Sequence, residues 1–177
     1  MTDANFSTEL IEQRAHQHYQ KKHYRDAATL FLELSLHYAS LNEIGKTAEM
    51  KNNASVAWLL AGEAQQALDA AKDTHLQFES LHDEKQAGMA YGNQAAAYDA
   101  LHDFESALSF YQKASEKLAV CGEKEYKAMV LKEISQLQLK TGEHLQALAS
   151  MNTALDSTDK LSGKEKFLKR FLRKIFH

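Results

Sequence analysis

The 177-residue sequence has no proline, one cysteine and only seven glycines. At average usage of about 5%, a chain of this length would carry roughly nine prolines, so their absence points to long helices joined by short turns. Cys121, alone, excludes an internal disulfide and a cysteine-based zinc cage, and suits a reducing compartment. No apolar run approaches the roughly 18 residues of a spanning helix. The N-terminal MTDANFSTEL has no basic stretch leading into an apolar one, so no secretory signal is expected and a cytoplasmic location is. What is present is a sizeable apolar fraction, 44%, under a formal charge of only −3. That balance excludes disordered and low-complexity classes.

The sequence repeats itself. Ala27, Ala67, Ala107 and Ala147 stand 40 residues apart. Tyr24, Ala64, Phe104 and His144 precede them by three, and Phe31, Ala71, Tyr111 and Met151 follow by four, which is helical spacing on one face. Leu34, Thr74, Ala114 and Ala154 form a further column, and Leu41, Leu81, Cys121 and Leu161 close each unit. Upstream, Ala57, Ala97 and Leu137 form another, beside Trp58 and Tyr98, which are expected to pack between helices. Each unit divides at Lys22-His23, Gly62-Glu63, His102-Asp103 or Gly142-Glu143, so each is expected to be a hairpin of two helices of roughly 15–18 residues. Such a hairpin cannot bury its apolar faces alone and must stack on its neighbours. The fold expected is all-α: a solenoid of four hairpins, about 5–43, 44–83, 84–123 and 124–163, followed by a last helix over 164–177.

The stretch Tyr91-Gly92-Asn93-Gln94-Ala95-Ala96-Ala97-Tyr98, then Asp103-Phe104-Glu105-Ser106-Ala107-Leu108 and Tyr111-Gln112-Lys113-Ala114, resembles the tetratricopeptide repeat. Unit two matches through Asn53, Ala57, Trp58, Gly62 and Ala67, unit one through Ala15, Tyr24, Ala27 and Phe31, and unit four through Gly142, Ala147 and Ala154. The usual unit has 34 residues and often ends in proline. The 40-residue form found here is similar to that of kinesin light chains, Leu-Gly-Asn-repeat adaptors and bacterial regulators. The resemblance implies a right-handed superhelix whose concave face, lined by the first helix of each hairpin, holds a peptide or a partner's helix. The side chains it would place there are Glu9, Glu12, Gln13, His16 and Tyr19 in unit one and Glu49, Asn52, Asn53, Val56 and Leu59 in unit two. Unit three would offer Met89, Asn93, Ala96 and Asp99, and unit four Met129, Glu133, Gln136 and Leu139.

Asn53 and Asn93 have two readings. An amide both donates and accepts and can bracket a peptide backbone, or it can bond a neighbouring helix and only space the repeats. Glu12, Met89 and Glu133 stand where some relatives carry a basic clamp for a carboxylate tail, so a basic or amphipathic protein or peptide is the expected partner. Met89, Met129, Val56 and Leu59 would add adaptable apolar contact, or lie buried between hairpins. No catalytic motif is present, and no enzyme activity, cofactor or nucleic-acid partner is expected. His16 and His18 point apart on a helix, and His16 and His23 are separated by a turn, so no metal is expected either. Cys121, in a leucine column, reads as a buried small hydrophobe.

The segment 164–177 differs in kind. Six basic residues (Lys164, Lys166, Lys169, Arg170, Arg173, Lys174) and one acid, Glu165, give it +5, while residues 1–163 carry −8. Phe167, Leu168, Phe171, Leu172, Ile175 and Phe176 recur in pairs every four positions and predict one continuous apolar face. Three roles fit: a cap on unit four, docking on a partner that includes another copy's acidic groove, or contact with an anionic membrane. The function expected is a protein-interaction scaffold. The alternative is a regulatory accessory of an enzyme or signalling system, or a self-associating or membrane-surface module acting through the last helix.

Overall fold

The computed structural model describes the backbone of residues 3–176 and the side chains of residues 8–175. Its helices are α1 (Asp3–Gln20), α2 (Tyr24–Ser40), α3 (Ile44–Leu60), α4 (Ala64–Ala71), α5 (Thr74–Ser80), α6 (Glu84–Ala100), α7 (Phe104–Val120), α8 (Lys124–Lys140), α9 (His144–Asp156) and α10 (Gly163–Phe176). No strand occurs among the described residues.

The helices follow a 20-residue rhythm, half the sequence period. Positive φ recurs at Lys22, Asn42, Gly62, His82, His102, Gly122 and Gly142. Each of these residues ends one helix, and the next residue begins another. At the α2–α3 turn, for example, Glu43 N–H donates to the Tyr38 carbonyl and Asn42 N–H to that of Ala39, which is a Schellman closure. The same pair of bonds recurs at the other six turns. The residue after each of these seven positions is acidic except at His23. It lies where the incoming helix presents free N–H groups, a placement that favours negative charge. Asp83 and Asp103 use it directly, their carboxylates accepting from Gln86 N–H and Ser106 N–H at 3.0 and 3.1 Å.

Two places depart from the rhythm. The second helix of unit two is broken at Lys72-Asp73, where Asp73 is left-handed. The hydroxyl of the fully buried Thr74 lies 2.8 Å from the Ala71 carbonyl and 3.0 Å from Asn52 Oδ1, and its one proton serves one of them at a time. The other departure is α9, which ends at Asp156, short of the expected Leu161. A capping box starts the next helix: Ser162 N–H donates to Glu165 Oε2 at 2.8 Å and Glu165 N–H to Ser162 Oγ at 3.3 Å.

The alanine column is the reason the helices lie so close. Ala27, Ala67, Ala107 and Ala147 are all buried at helix crossings. α3 packs on α6, and α6 on α8, so the first helices of hairpins two to four form one layer, the one the resemblance places on the inside. Trp58 and Tyr98 are half-buried against the core, as the sequence indicated. The closing column is different. Leu41, Leu81 and Cys121 are exposed at the helix ends, so Cys121 is not the buried hydrophobe expected of it. Its thiol lies 3.4 Å from the Lys117 carbonyl.

Candidate functional site

Four of the residues chosen from the sequence converge on one depression of about 220 Å³. His16 and Tyr19 reach it from α1, Asn53 and Val56 from α3, and Phe31 of α2 forms its remaining wall. The His16 ring meets Phe31 edge to face at a centroid distance of 5.3 Å. Phe31 is the residue that sequence reasoning missed. It stands in a packing column and is almost wholly buried, yet one edge closes the cavity floor.

Charge at this end of the inner layer is acidic but partly engaged. Glu12 lies 4.0 Å from His16 and accepts a long bond, 3.4 Å, from the Tyr38 hydroxyl. Burial and that carboxylate together push the Tyr38 phenol above its ordinary pKa. Lys46 sits over the Tyr38 ring at 4.8 Å and pairs with Glu43 at 2.8 Å. Glu9 and Glu49 are exposed without an ion pair among the described residues.

The amides divide sharply. Asn53 and Asn93 are half-buried and have no hydrogen-bond partner among the described residues. Asn52 is only 5% exposed and is turned into the core against Thr74, so it does not line the groove and leaves the candidate set. Asp99 is also tied down: Lys140 Nζ donates to both its oxygens at 2.8 and 2.7 Å. Leu59, Met89 and Ala96 are half-buried, the last packed beside the core of the α6–α8 region. Met129, Glu133, Gln136, Leu139 and Gln13 are exposed.

The histidines come together differently from the sequence expectation. The α1–α2 turn itself brings donor atoms of His18, His23 and Asp26 within 4.8 Å of one another, His18 Nδ1 being 3.4 Å from Asp26 Oδ2. Lys22 and Arg25 line the same open depression of about 430 Å³, and their charge opposes a divalent cation there. Deep in the molecule, His75 stacks on Tyr91 at 4.3 Å and meets Phe110 at 5.8 Å. Burial lowers its pKa, so it is a neutral core ring.

The last helix lies against its own solenoid, but along only one edge of its apolar face. Leu172 is fully buried and Leu168 half-buried, whereas Phe167, Phe171 and Ile175 are 76%, 54% and 49% exposed. The single continuous face expected from the sequence is thus split between core and surface. The side chain of Phe176 lies outside the described residues. Polar latches hold the inner edge. Lys132 of α8 pairs with Glu165, and Lys169 Nζ donates to the Leu155 carbonyl at 2.9 Å and pairs with Asp156 at 2.8 Å. Hydrogen bonds from Lys132 and Ser162 pull the Glu165 carboxyl down to about 2.

No family model and no curated protein matches the sequence. Solved structures do share the fold. BtubC (BKLC) from P. vanneervenii superposes with a TM-score of 0.77 at 16% identity, over 89% of this chain and 65% of that one. This chain therefore spans just under two thirds of BtubC. A Podosopora anserina chain described as a kinesin light chain with nearly identical TPR-like repeats gives 0.53 at 14% identity, over 95% of this chain and 94% of its own. A variant of that protein gives 0.55 at 14%, over 99% and 97%. The fold is that of TPR-like helical repeats, as the resemblance implied.

Proposed function

We propose that the protein is a non-catalytic interaction scaffold whose inner layer holds an extended peptide or a partner's helix. The observation that carries this reading is the pair of unpartnered amides. A buried or half-buried amide that merely spaced the repeats would be bonded to a neighbouring helix, as Asn52 is. Asn53 and Asn93 instead keep donor and acceptor free on the face of α3 and α6 assigned to the groove. The cavity beside Asn53, walled by Tyr19, Phe31 and Val56, suits an apolar or aromatic side chain, and Glu9, Glu12 and Glu49 favour cationic flanks. An amphipathic peptide with basic residues meets both demands. The TPR-like repeats of the structural neighbours support a protein partner in general.

The test is selection of random peptides against the purified full chain, followed by titration of the selected peptides. They should be basic and amphipathic, and Asn53→Ala/Asn93→Ala should weaken them about tenfold, the scale of one or two lost hydrogen bonds. Peptides that bind wild type and double variant alike would show that the groove is misassigned.

A further inference from the structure

The face of α10 that its own solenoid leaves uncovered combines exposed apolar and basic side chains. Phe167, Phe171 and Ile175 follow one another at helical spacing and all point to solvent. Around them Lys164, Lys166, Arg170 and Lys174 are exposed, and none of the four has an ion pair among the described residues. Phe167, Arg170, Phe171 and Lys174 together line a shallow depression of about 260 Å³. The one acid of the segment, Glu165, is drawn inward by Lys132. The two cations nearest the solenoid, Lys169 and Arg173, are engaged by Asp156. Sorting by contact therefore leaves an outer face with apolar rings and positive charge only.

We propose that this outer face of α10 is a docking surface for an anionic lipid bilayer. Phe167, Phe171 and Ile175 enter the boundary between headgroups and acyl chains, and Lys164, Lys166, Arg170 and Lys174 meet lipid phosphates. An in-plane interfacial helix requires this division of apolar and basic flanks. Lysine and arginine can also bury their aliphatic stems while holding the charge at headgroup level. The helix is already folded and braced through Leu168 and Leu172, so contact with a membrane orders no new backbone. Adsorption is peripheral and reversible, since no helix among the described residues is long and apolar enough to cross a membrane.

Charge and shape favour a lipid surface over a second copy. The solenoid's −8 is spread along its length, and many of its acids are consumed: Glu63 by Arg25, Glu123 by Lys85, Glu79 and Glu84 by Lys117, and Asp99 by Lys140. Of the acids assigned to the groove, Glu9, Glu49 and Glu133 have no ion pair among the described residues and Glu12 meets only His16, and the four are spread over three hairpins. Four neighbouring cations find no matching cluster there, whereas lipid phosphates are mobile and can gather beneath them. This inference stands on α10 alone and is independent of the groove.

Vesicle co-sedimentation of the full chain tests it. Phosphatidylcholine vesicles containing about 30% phosphatidylserine should bind the protein at low salt about tenfold more tightly than pure phosphatidylcholine, and about 0.5 M salt should release it. Phe167→Ser/Phe171→Ser and, separately, Arg170→Glu/Lys174→Glu should each weaken binding about tenfold. Both pairs are exposed, so the helical signal and melting temperature should stay unchanged, and these are recorded for each variant. Failure to bind, equal binding to neutral and anionic vesicles, or wild-type binding by the folded variants overturns the proposal. So does concentration-dependent self-association in lipid-free sedimentation that the same substitutions abolish, which would assign the face to a second copy.

Discussion

At the scale of single residues, two glycines four positions apart on α6 make a sharp comparison. A Cβ built on Gly88 would stand 2.8 Å from Leu118 Cγ and 3.1 Å from its Cδ2, and Leu118 is itself buried. A Cβ on Gly92 would meet nothing nearer than Val130 Cγ2 at 4.0 Å. Gly88→Ala should therefore cost about 1–3 kcal/mol through overpacking of the α6–α7 crossing. Gly92→Ala should stabilise by about 0.5–1 kcal/mol, because alanine sacrifices less backbone entropy within a helix. Urea denaturation of both variants decides it; shifts of the same sign would mean that close approach is not what Gly88 provides. The sequence could not separate these two residues. A glycine within a helical pattern carries no sign of which neighbour its missing side chain admits. The left-handed turns were half legible for a similar reason. Glycine stands at three, Gly62, Gly122 and Gly142, but Lys22, Asn42, His82 and His102 adopt the same backbone without glycine's signature.

At the scale of elements, the repeat and its hairpins could be read because apolar spacing is a property of many residues at once. The break between α4 and α5 could not. It is made by one left-handed aspartate and a buried hydroxyl whose partner, Asn52, lies on another helix. That bond also decides between two adjacent asparagines that sequence alone assigned to the same face. Successive residues on a helix are about 100° apart, so a small error in placing the groove face exchanges one for the other. Asn52→Ala should cost about 0.5–1.5 kcal/mol, the net worth of one hydrogen bond, because the Thr74 hydroxyl can still donate to the Ala71 carbonyl. Asn53→Ala should change stability by less than about 0.5 kcal/mol, as a substitution outside the core does. The pair is measured by chemical denaturation, and equal losses would return Asn52 and Asn53 to the same role. The apolar tail of the chain was legible as an amphipathic helix. Which half of its face would be covered depended on Leu155, Asp156 and Lys132, distant partners that no local pattern reveals.

At the scale of the molecule, the core comes in pieces that each join neighbouring hairpins. One cluster runs from Ala15 through Phe31 to Ala57 and Ala70, a second joins Ala48, Phe78, Ala87 and Ala90, and a third gathers Ala95, Tyr111, Ile134 and Leu137. Stability in such an array is close to a sum of units and their interfaces, so a perturbation at one end should fade along the chain. Deleting 163–177 supplies that perturbation. It removes Leu172, frees the Leu155 carbonyl from Lys169 and Asp156 from its two cations, and leaves a chain carrying −8. Amide exchange in the truncated protein should accelerate in α8 and α9, where α10 packs, while α1 to α3 keep the protection they have in the full chain. Uniform acceleration from α1 to α9 would instead mean that the four hairpins unfold as one cooperative unit. The last helix would then stabilise the whole molecule rather than only the hairpin it covers.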